Sequence, residues 1–80
     1  MKLKRREGDI FGYTSYFVYD DGQLVGLVGN VRPWRDGRFG RRRWWACERR
    51  EGDRFARWDS GDVFTTRKAA VTALSNRLGE

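Results

Sequence analysis

The residues best suited to chemistry are arginines and tryptophans gathered in one segment, residues 32–58. This segment holds all four tryptophans and ten arginines against four acidic residues. It accounts for the whole net charge of +6, because basic and acidic residues balance in the rest of the chain. Guanidinium groups match phosphate geometry, and indole rings cover base, sugar or methyl surfaces. The expected partner is therefore a polyanion with stackable faces, and nucleic acid is the leading candidate.

The excess of arginine over lysine also favours nucleic acid as the partner. Fourteen of the seventeen basic residues are arginines, which favours bidentate contact with phosphate or guanine over the looser attraction of lysine. A GC-rich genome would raise the arginine content as well. Such a bias accounts for the ratio but not for the clustering of arginines in one segment.

Catalytic and metal-binding constellations are missing from the sequence. There is no histidine, and Cys47 is the single cysteine. No pair of carboxylates stands beside a pocket-like apolar cluster, so there is no general base, nucleophile or metal-ligand set to assign. We expect Cys47 to be a small buried hydrophobe in a strand. The sequence therefore predicts a protein that is not an enzyme and that has no metal and no cofactor.

Length and composition indicate one small folded domain. The chain has 80 residues, of which 39% are hydrophobic and 15% aromatic, well above the disordered range. A single cysteine excludes an internal disulfide and fits a reducing compartment. No apolar run is long enough to span a bilayer, and the basic N-terminus is followed by acidic residues, unlike a signal peptide. We expect a flexible basic N-terminus over residues 1–9, one domain over residues 10–80, and a cytoplasmic location, nucleoid-associated if the protein binds DNA.

The first part of the domain has strand and turn signals. Residues 13–19 and 24–31 are rich in aromatic and β-branched side chains, and Asp21-Gly22 between them predicts a hairpin turn. Residues 32–40 predict a loop in which Asp36-Gly37 marks a tight turn. Two further strands are predicted, at residues 44–49 and 54–58.

The last part of the chain changes to helical spacing. Ala70, Leu74 and Leu78 recur every four residues, which predicts one amphipathic helix. A threonine at position 65 or 66 is suited to cap its start, and Gly79 to end it. The predicted fold class is α+β, a three- to four-stranded antiparallel meander packed on one C-terminal helix.

Side-chain alternation divides the strand at residues 44–49 between two faces. One helix covers only one face of such a sheet, so one of the two adjacent tryptophans is expected to face away from the helix. Cysteine is among the most buried residue types, so we assign Cys47 and Trp45 to the helix side. Trp44, Glu48 and Arg50 are then expected on the open face.

Three segments resemble the plant ethylene-response-factor DNA-binding domain and the arm-type DNA-binding domains of phage and transposon integrases. They are RPW at 32–34, WACERR at 45–50 and FTTRKAAVTAL at 64–74, and the similarity covers about residues 26–78. The resemblance implies a three-stranded antiparallel sheet on one helix, with the open sheet face in the major groove of DNA. It implies nucleic-acid-facing roles for Arg32, Trp34, Glu48 and Arg50, with Arg54 or Arg57 and Trp58 from the last strand.

The expected function is duplex DNA binding, sequence-specific or non-specific, in a regulatory or accessory role. Arginines of the loop would grip phosphates, and those of the sheet face would bond guanine. The Glu48 carboxylate would accept a hydrogen bond from the amino group of cytosine or hold a neighbouring arginine in place. The predicted nucleic-acid-binding residues are Arg32, Trp34, Arg35, Arg38, Arg41, Arg42, Arg43, Trp44, Glu48, Arg50, Arg54 and Arg57.

Two alternatives stay open at this point. Aromatic and arginine enrichment is also typical of protein-interaction hot spots, so the chain could be a small interaction module, such as a phage-encoded factor that redirects a host protein. Single-stranded DNA or RNA is a further alternative, since exposed Trp34 and Trp44 would stack on unpaired bases. Oligomeric state and target sequence are not determined by these patterns.

Overall fold

One antiparallel sheet and one C-terminal helix make up the fold. The computed structural model describes residues 1–6 and 13–79. The main sheet has the strand order β1-β2-β3-β6-β7, and a separate two-stranded hairpin, β4-β5, is inserted between its third and fourth strands. The elements in chain order are β1 (Lys2–Arg5), β2 (Ser15–Asp20), β3 (Gln23–Val31), β4 (Trp34–Arg35), β5 (Arg38–Phe39), β6 (Arg43–Glu48), β7 (Trp58–Asp59) and α1 (Arg67–Leu78).

This architecture confirms the predicted α+β class, with a sheet of five strands in place of three or four. Every neighbouring pair in the main sheet is antiparallel, and the strands follow chain order across it. Local connections of this kind need no crossover, so turn residues are enough to direct the chain from each strand to the next.

Both predicted Asp-Gly turns are present. Asp21 and Gly22 have φ values of 52° and 77°, and Asp36 and Gly37 have 52° and 80°. Two successive positive φ values define the type I′ turn, whose twist matches that of paired strands. The first turn joins β2 to β3 as expected. The second turn joins β4 to β5, so the segment at residues 32–40 that was predicted as a loop contains a short hairpin.

Two segments differ from their predicted structure. Residues 2–5, expected to be part of a flexible N-terminus, form the edge strand β1 beside β2, with Leu3 opposite Val18. A single apolar residue in a basic run gave no strand pattern, and the pairing depends on the free edge of β2. Residues 7–9 of the same predicted segment lie outside the described residues. The strand predicted at residues 54–58 is reduced to Trp58, which forms β7 together with Asp59 and pairs with Glu48 on β6, and the preceding residues form a loop.

The helix follows its sequence signals closely. Thr66 is the N-cap, and its Oγ1 accepts a hydrogen bond from the Ala69 backbone N–H at 3.1 Å. The helix ends at Leu78, directly before Gly79. Ala70 and Leu74 are fully buried, as the four-residue spacing predicted. No helix in the described part of the chain is long and apolar enough to cross a membrane.

The main core lies between α1 and one face of the sheet. Its buried side chains come from β2, β3, β6 and α1, and half-buried aromatic residues surround them. The small side chain of Ala46 on β6 leaves room for α1 to pack closely against the sheet. The buried core residues are Val18, Val25, Val28, Ala46, Ala70 and Leu74.

Candidate nucleic-acid interface

The side chains of β6 that lie under the helix are those that were predicted to face away from it. Ala46 belongs to the core beneath the helix, and Trp44 packs against the same core. Glu48 Oε1 accepts a hydrogen bond at 3.4 Å from Nε of Arg77, which lies on α1. Because side chains alternate along a strand, Trp45 and Cys47 lie on the face away from the helix. The assignment of Trp45 and Cys47 to the helix side was therefore wrong.

The burial of Cys47 explains the error. Its side chain is only 7% exposed although it faces away from the helix, and its register partner Leu27 is 4% exposed. Both belong to central strands and are covered by neighbouring side chains on the face away from the helix, so a preference for burial does not identify the helix side. Burial also raises the pKa of the Cys47 thiol above its ordinary value.

The tryptophans differ in exposure. Trp44 stacks on Tyr16 with ring centroids 6.4 Å apart, and Trp58 packs against the core. Trp45 is half-buried on the opposite face. Of the four tryptophans, all of which the structure describes, Trp34 alone is exposed, at 61%. Trp44 is therefore part of the helix-side packing and not an open-face contact.

Glu48 is held between two arginines and does not face solvent. It is 9% exposed, and its carboxylate lies 3.6 Å from Arg50 Nη2 as well as 3.4 Å from Arg77 Nε. Arg50 Nε is buried and has no hydrogen-bond partner within residues 1–6 and 13–79. This geometry favours the role of holding an arginine over that of accepting from cytosine. The predicted open-face position of Glu48 is wrong for the same reason of register as that of Trp44, whereas Arg50 lies beyond the end of β6 and is half-buried beside Glu48.

The β4-β5 hairpin carries an exposed aromatic pair. Trp34 lies opposite Phe39, and their rings meet edge to face with centroids 4.8 Å apart. Phe39 is 54% exposed, and the guanidinium carbon of Arg32 lies 5.7 Å from its ring centroid. The Gly40 backbone N–H donates to the Pro33 carbonyl at 2.7 Å and closes the base of the hairpin. The hairpin thus presents an ordered aromatic surface to solvent.

The arginines around this hairpin are free of acidic partners. Within residues 32–43, Asp36 is the single acidic residue against six arginines. None of these arginines makes an ion pair with a residue in the described ranges. Guanidinium groups without acidic partners are available to form bidentate bonds with phosphate. Arg32 also donates a hydrogen bond through Nε to the Gly40 carbonyl at 3.4 Å. The six are Arg32, Arg35, Arg38, Arg41, Arg42 and, half-buried, Arg43.

The loop at residues 49–57 is organised by Asp53. Its Oδ2 accepts from the Arg50 backbone N–H at 3.0 Å and from Arg57 Nε at 2.9 Å. These bonds hold the pKa of the Asp53 carboxyl below its usual range, the Arg50 backbone N–H having the larger effect. Arg49 Nε donates to the Asp53 carbonyl at 3.1 Å. The braced loop leaves Phe55 82% exposed.

The predicted site residues therefore fall into three groups. Those of the hairpin form one connected surface, while Arg54 and Arg57 lie in the Asp53 loop and the rest belong to the sheet. Sequence reasoning missed Phe39 and Phe55, although each directly follows an arginine within the basic segment at residues 32–58. The exposed site residues are Arg32, Trp34, Arg35, Arg38, Arg41, Arg42, Arg54 and Arg57. The half-buried ones are Arg43, Trp44 and Arg50, and Glu48 is buried.

Comparisons of this chain with known proteins found no match. No known family matches the chain, and neither a curated protein nor a solved structure matches it. The resemblance to ethylene-response-factor and integrase arm-type domains therefore stays a prediction. Among the described residues, no group of three or more histidine, cysteine or acidic side chains could hold a metal ion.

Proposed function

We propose that the protein binds duplex DNA, with the β4-β5 hairpin and its flanking arginines as the principal contact, and that it acts without catalysis. The observation that carries this proposal is the set of six arginines, without ionic partners among the described residues, around the exposed pair Trp34 and Phe39. A cationic surface with exposed rings is typical of nucleic-acid contact, because it satisfies phosphates and covers the apolar parts of bases and sugars.

The dimensions of the hairpin support a groove-binding geometry. A two-stranded β-ribbon fits the major groove of B-form DNA, where base edges are distinguishable. Arg35 and Arg38, opposite each other across the hairpin, share one face of the ribbon and are placed to reach base edges or phosphates, while Trp34 and Phe39 share the other face. Trp34 and Phe39 would contact thymine methyl groups or sugar. Phosphate contacts by the remaining arginines would set the register.

The open sheet face supplies a second part of the proposed interface, with residues other than those predicted. Arg43, Trp45 and Arg49 lie on the face away from the helix, and Arg6 lines one groove with Trp45 and Arg49. These side chains take the place of Trp44, Glu48 and Arg50 in the proposal. Asp59 and Asp62 line the same groove, so this surface carries both signs of charge and is less basic than that of the hairpin.

Hairpin variants test the proposal most directly. We expect Arg38→Ala to weaken binding to random-sequence duplex DNA by about fivefold or more, since a bond between charged groups is lost. Lys68→Ala, an exposed substitution on α1, removes the same charge away from the hairpin and is expected to change the Kd by less than about twofold. Fluorescence anisotropy measures both. Equal Kd values for wild type and Arg38→Ala, or no binding by the wild type, would contradict the proposal.

A second candidate function is a protein-interaction module, favoured by the exposure of Trp34 and Phe39 on one hairpin. Large aromatic side chains near arginines are typical of interface hot spots. In that case binding would depend on one or two rings, and Trp34→Ala would cost about 2 kcal/mol or more while single arginine changes had small effects. A gradual loss of affinity across the arginine variants would favour DNA.

A further inference from the structure

Exposed aromatic side chains in the described residues share one feature, an adjoining arginine. Trp34 precedes Arg35, Phe39 follows Arg38, and Phe55 follows Arg54. Two of these rings belong to the hairpin, and the third lies in the loop at residues 49–57. The same arrangement therefore occurs at two separate places in the fold.

The loop places Phe55 in solvent by means of specific hydrogen bonds. Asp53 accepts from the Arg50 backbone and from the Arg57 side chain, and the Arg57 backbone N–H donates to the Glu48 carbonyl at 2.8 Å. Both sides of the tip are thus fixed to the end of β6. A phenylalanine held at 82% exposure by a braced loop gains nothing from the protein core, so its ring is available to a ligand.

The loop and the hairpin lie at opposite ends of one strand. The hairpin leads into β6 at Arg43, and the loop leaves β6 at Glu48. Six strand residues span roughly 17 Å, from a rise of about 3.3 Å per residue. This length corresponds to about five base steps of duplex DNA at about 3.4 Å each. A single DNA molecule bound by the hairpin would therefore reach the loop within a short distance.

The chemistry of the loop tip suits an unpaired base. The exposed face of a phenyl ring makes no hydrogen bonds and recognises a ligand by stacking, and the base faces inside a duplex are already covered by their neighbours. Arg54 is exposed and makes no ion pair with any residue of the described segments, so it is free to bond the adjoining phosphate. Arg57, in contrast, is held by Asp53.

We propose that the loop at residues 49–57 is a second DNA-binding site, in which Phe55 stacks on an unpaired base and Arg54 binds its phosphate. This inference rests on the proposed duplex binding by the hairpin. Together the two sites select DNA in which a duplex adjoins a single-stranded segment. Neither site alone accounts for such a preference.

The test compares a blunt duplex with the same duplex carrying a short single-stranded thymine tail, using the full chain. A blunt duplex with the same number of phosphates as the tailed probe controls for charge. We expect the tailed probe to bind about fivefold to a hundredfold more tightly than this control, the range that stacking on one base supplies. A 2-aminopurine placed in the tail should change its fluorescence on binding.

Variants of Phe55 test whether this residue causes the preference for the tailed probe. Phe55→Ala is expected to abolish the preference for the tailed probe and the 2-aminopurine response while leaving binding to the blunt duplex unchanged. Phe55→Trp should keep the preference, because an indole also stacks. Leu3→Ala is the matched control, since Leu3 is another exposed apolar residue, at 38%, on β1 and outside the loop.

The outcomes separate this inference from the proposed function. Equal binding of tailed and phosphate-matched blunt probes, with duplex binding intact, would overturn the inference and leave the proposed function standing. A tail preference that survives in Phe55→Ala would overturn the assignment to this loop. Failure to bind any of the three probes would overturn both proposals.

Discussion

Gly29 and Trp45 illustrate how a single residue position shapes the sheet face away from the helix. They are direct register partners on β3 and β6. A Cβ added to Gly29 would overlap the indole ring of Trp45 and lie 3.1 Å from the Ser15 Cβ. The indole therefore occupies the space that a side chain at position 29 would need. Glycine here serves close packing and not a turn.

The substitution Gly29→Ala is expected to displace Trp45 and to lower the free energy of unfolding by about 1–3 kcal/mol, the usual range for overpacking. In a chain of this size each kcal/mol corresponds to a fall in Tm of about 4–8 °C. Thermal unfolding followed by circular dichroism measures the change.

Two further variants separate the overlap with Trp45 from the general effect of replacing a glycine by alanine. At Gly79 an added Cβ would lie 3.5 Å from the nearest carbonyl oxygen, so Gly79→Ala should change stability by about 0.5 kcal/mol or less. In a Trp45→Ala background, Gly29→Ala should lose most of its effect, because the overlapping ring is gone. A full effect in that background would refute the packing argument.

At the scale of secondary-structure elements, the helix is specified locally and the inserted hairpin is specified by its turn. Thr66 caps α1 through its side-chain oxygen, and the apolar spacing places Ala70 and Leu74 on the sheet. The β4-β5 hairpin has only two residues on each strand, so the Asp36-Gly37 turn and the Trp34–Phe39 contact provide its order.

Removing the helix cap has a defined expected effect. Thr66→Ala deletes the oxygen that accepts from the Ala69 backbone N–H and should lower the free energy of unfolding by about 1 kcal/mol. Thr66→Ser keeps an acceptor and should retain most of the stability. Urea unfolding measures both, with Thr65→Ala as a neighbouring exposed control. A Thr66→Ser variant as unstable as Thr66→Ala would argue against the capping bond.

At the scale of the whole molecule, charge is distributed unevenly. Residues 32–58 carry the entire net charge, and two of their four acidic residues, Glu48 and Asp53, form ion pairs with Arg50, Arg57 and Arg77. The hairpin arginines make no such pairs with described residues. The hairpin end of the molecule is therefore expected to dominate long-range attraction to a polyanion.

This distribution predicts a steep salt dependence of DNA binding. With roughly five to seven phosphates neutralised, log Kobs should fall with log salt at a slope of about −4.5 to −6. Arg38→Ala should make the slope shallower by about 0.9, and Lys68→Ala should leave it unchanged. Anisotropy titrations at several salt concentrations provide the slopes. A slope near zero would exclude a mainly ionic interface.

Local patterns in the sequence were sufficient for most of the fold. The Asp-Gly pairs defined two type I′ turns, and the threonine cap and four-residue spacing defined the helix, because these features depend on neighbouring residues. Strand β1 was not apparent, since a basic run becomes a strand only beside the free edge of β2. The strand predicted at residues 54–58 was largely wrong, because Asp53 accepts hydrogen bonds from the Arg50 backbone N–H and the Arg57 side chain and holds the segment between them as a loop.

The sequence by itself determined the α+β class, the helix, the two hairpin turns and the concentration of positive charge in residues 32–58. Only the tertiary structure decided which face of β6 lies under the helix. Alternation along a strand divides its residues into two sets but does not say which set lies under the helix. Cys47 is buried on the face away from the helix, so its burial did not identify the helix side. The exposure of Phe39 and Phe55 was likewise a tertiary outcome, since it depends on where the remaining chain packs.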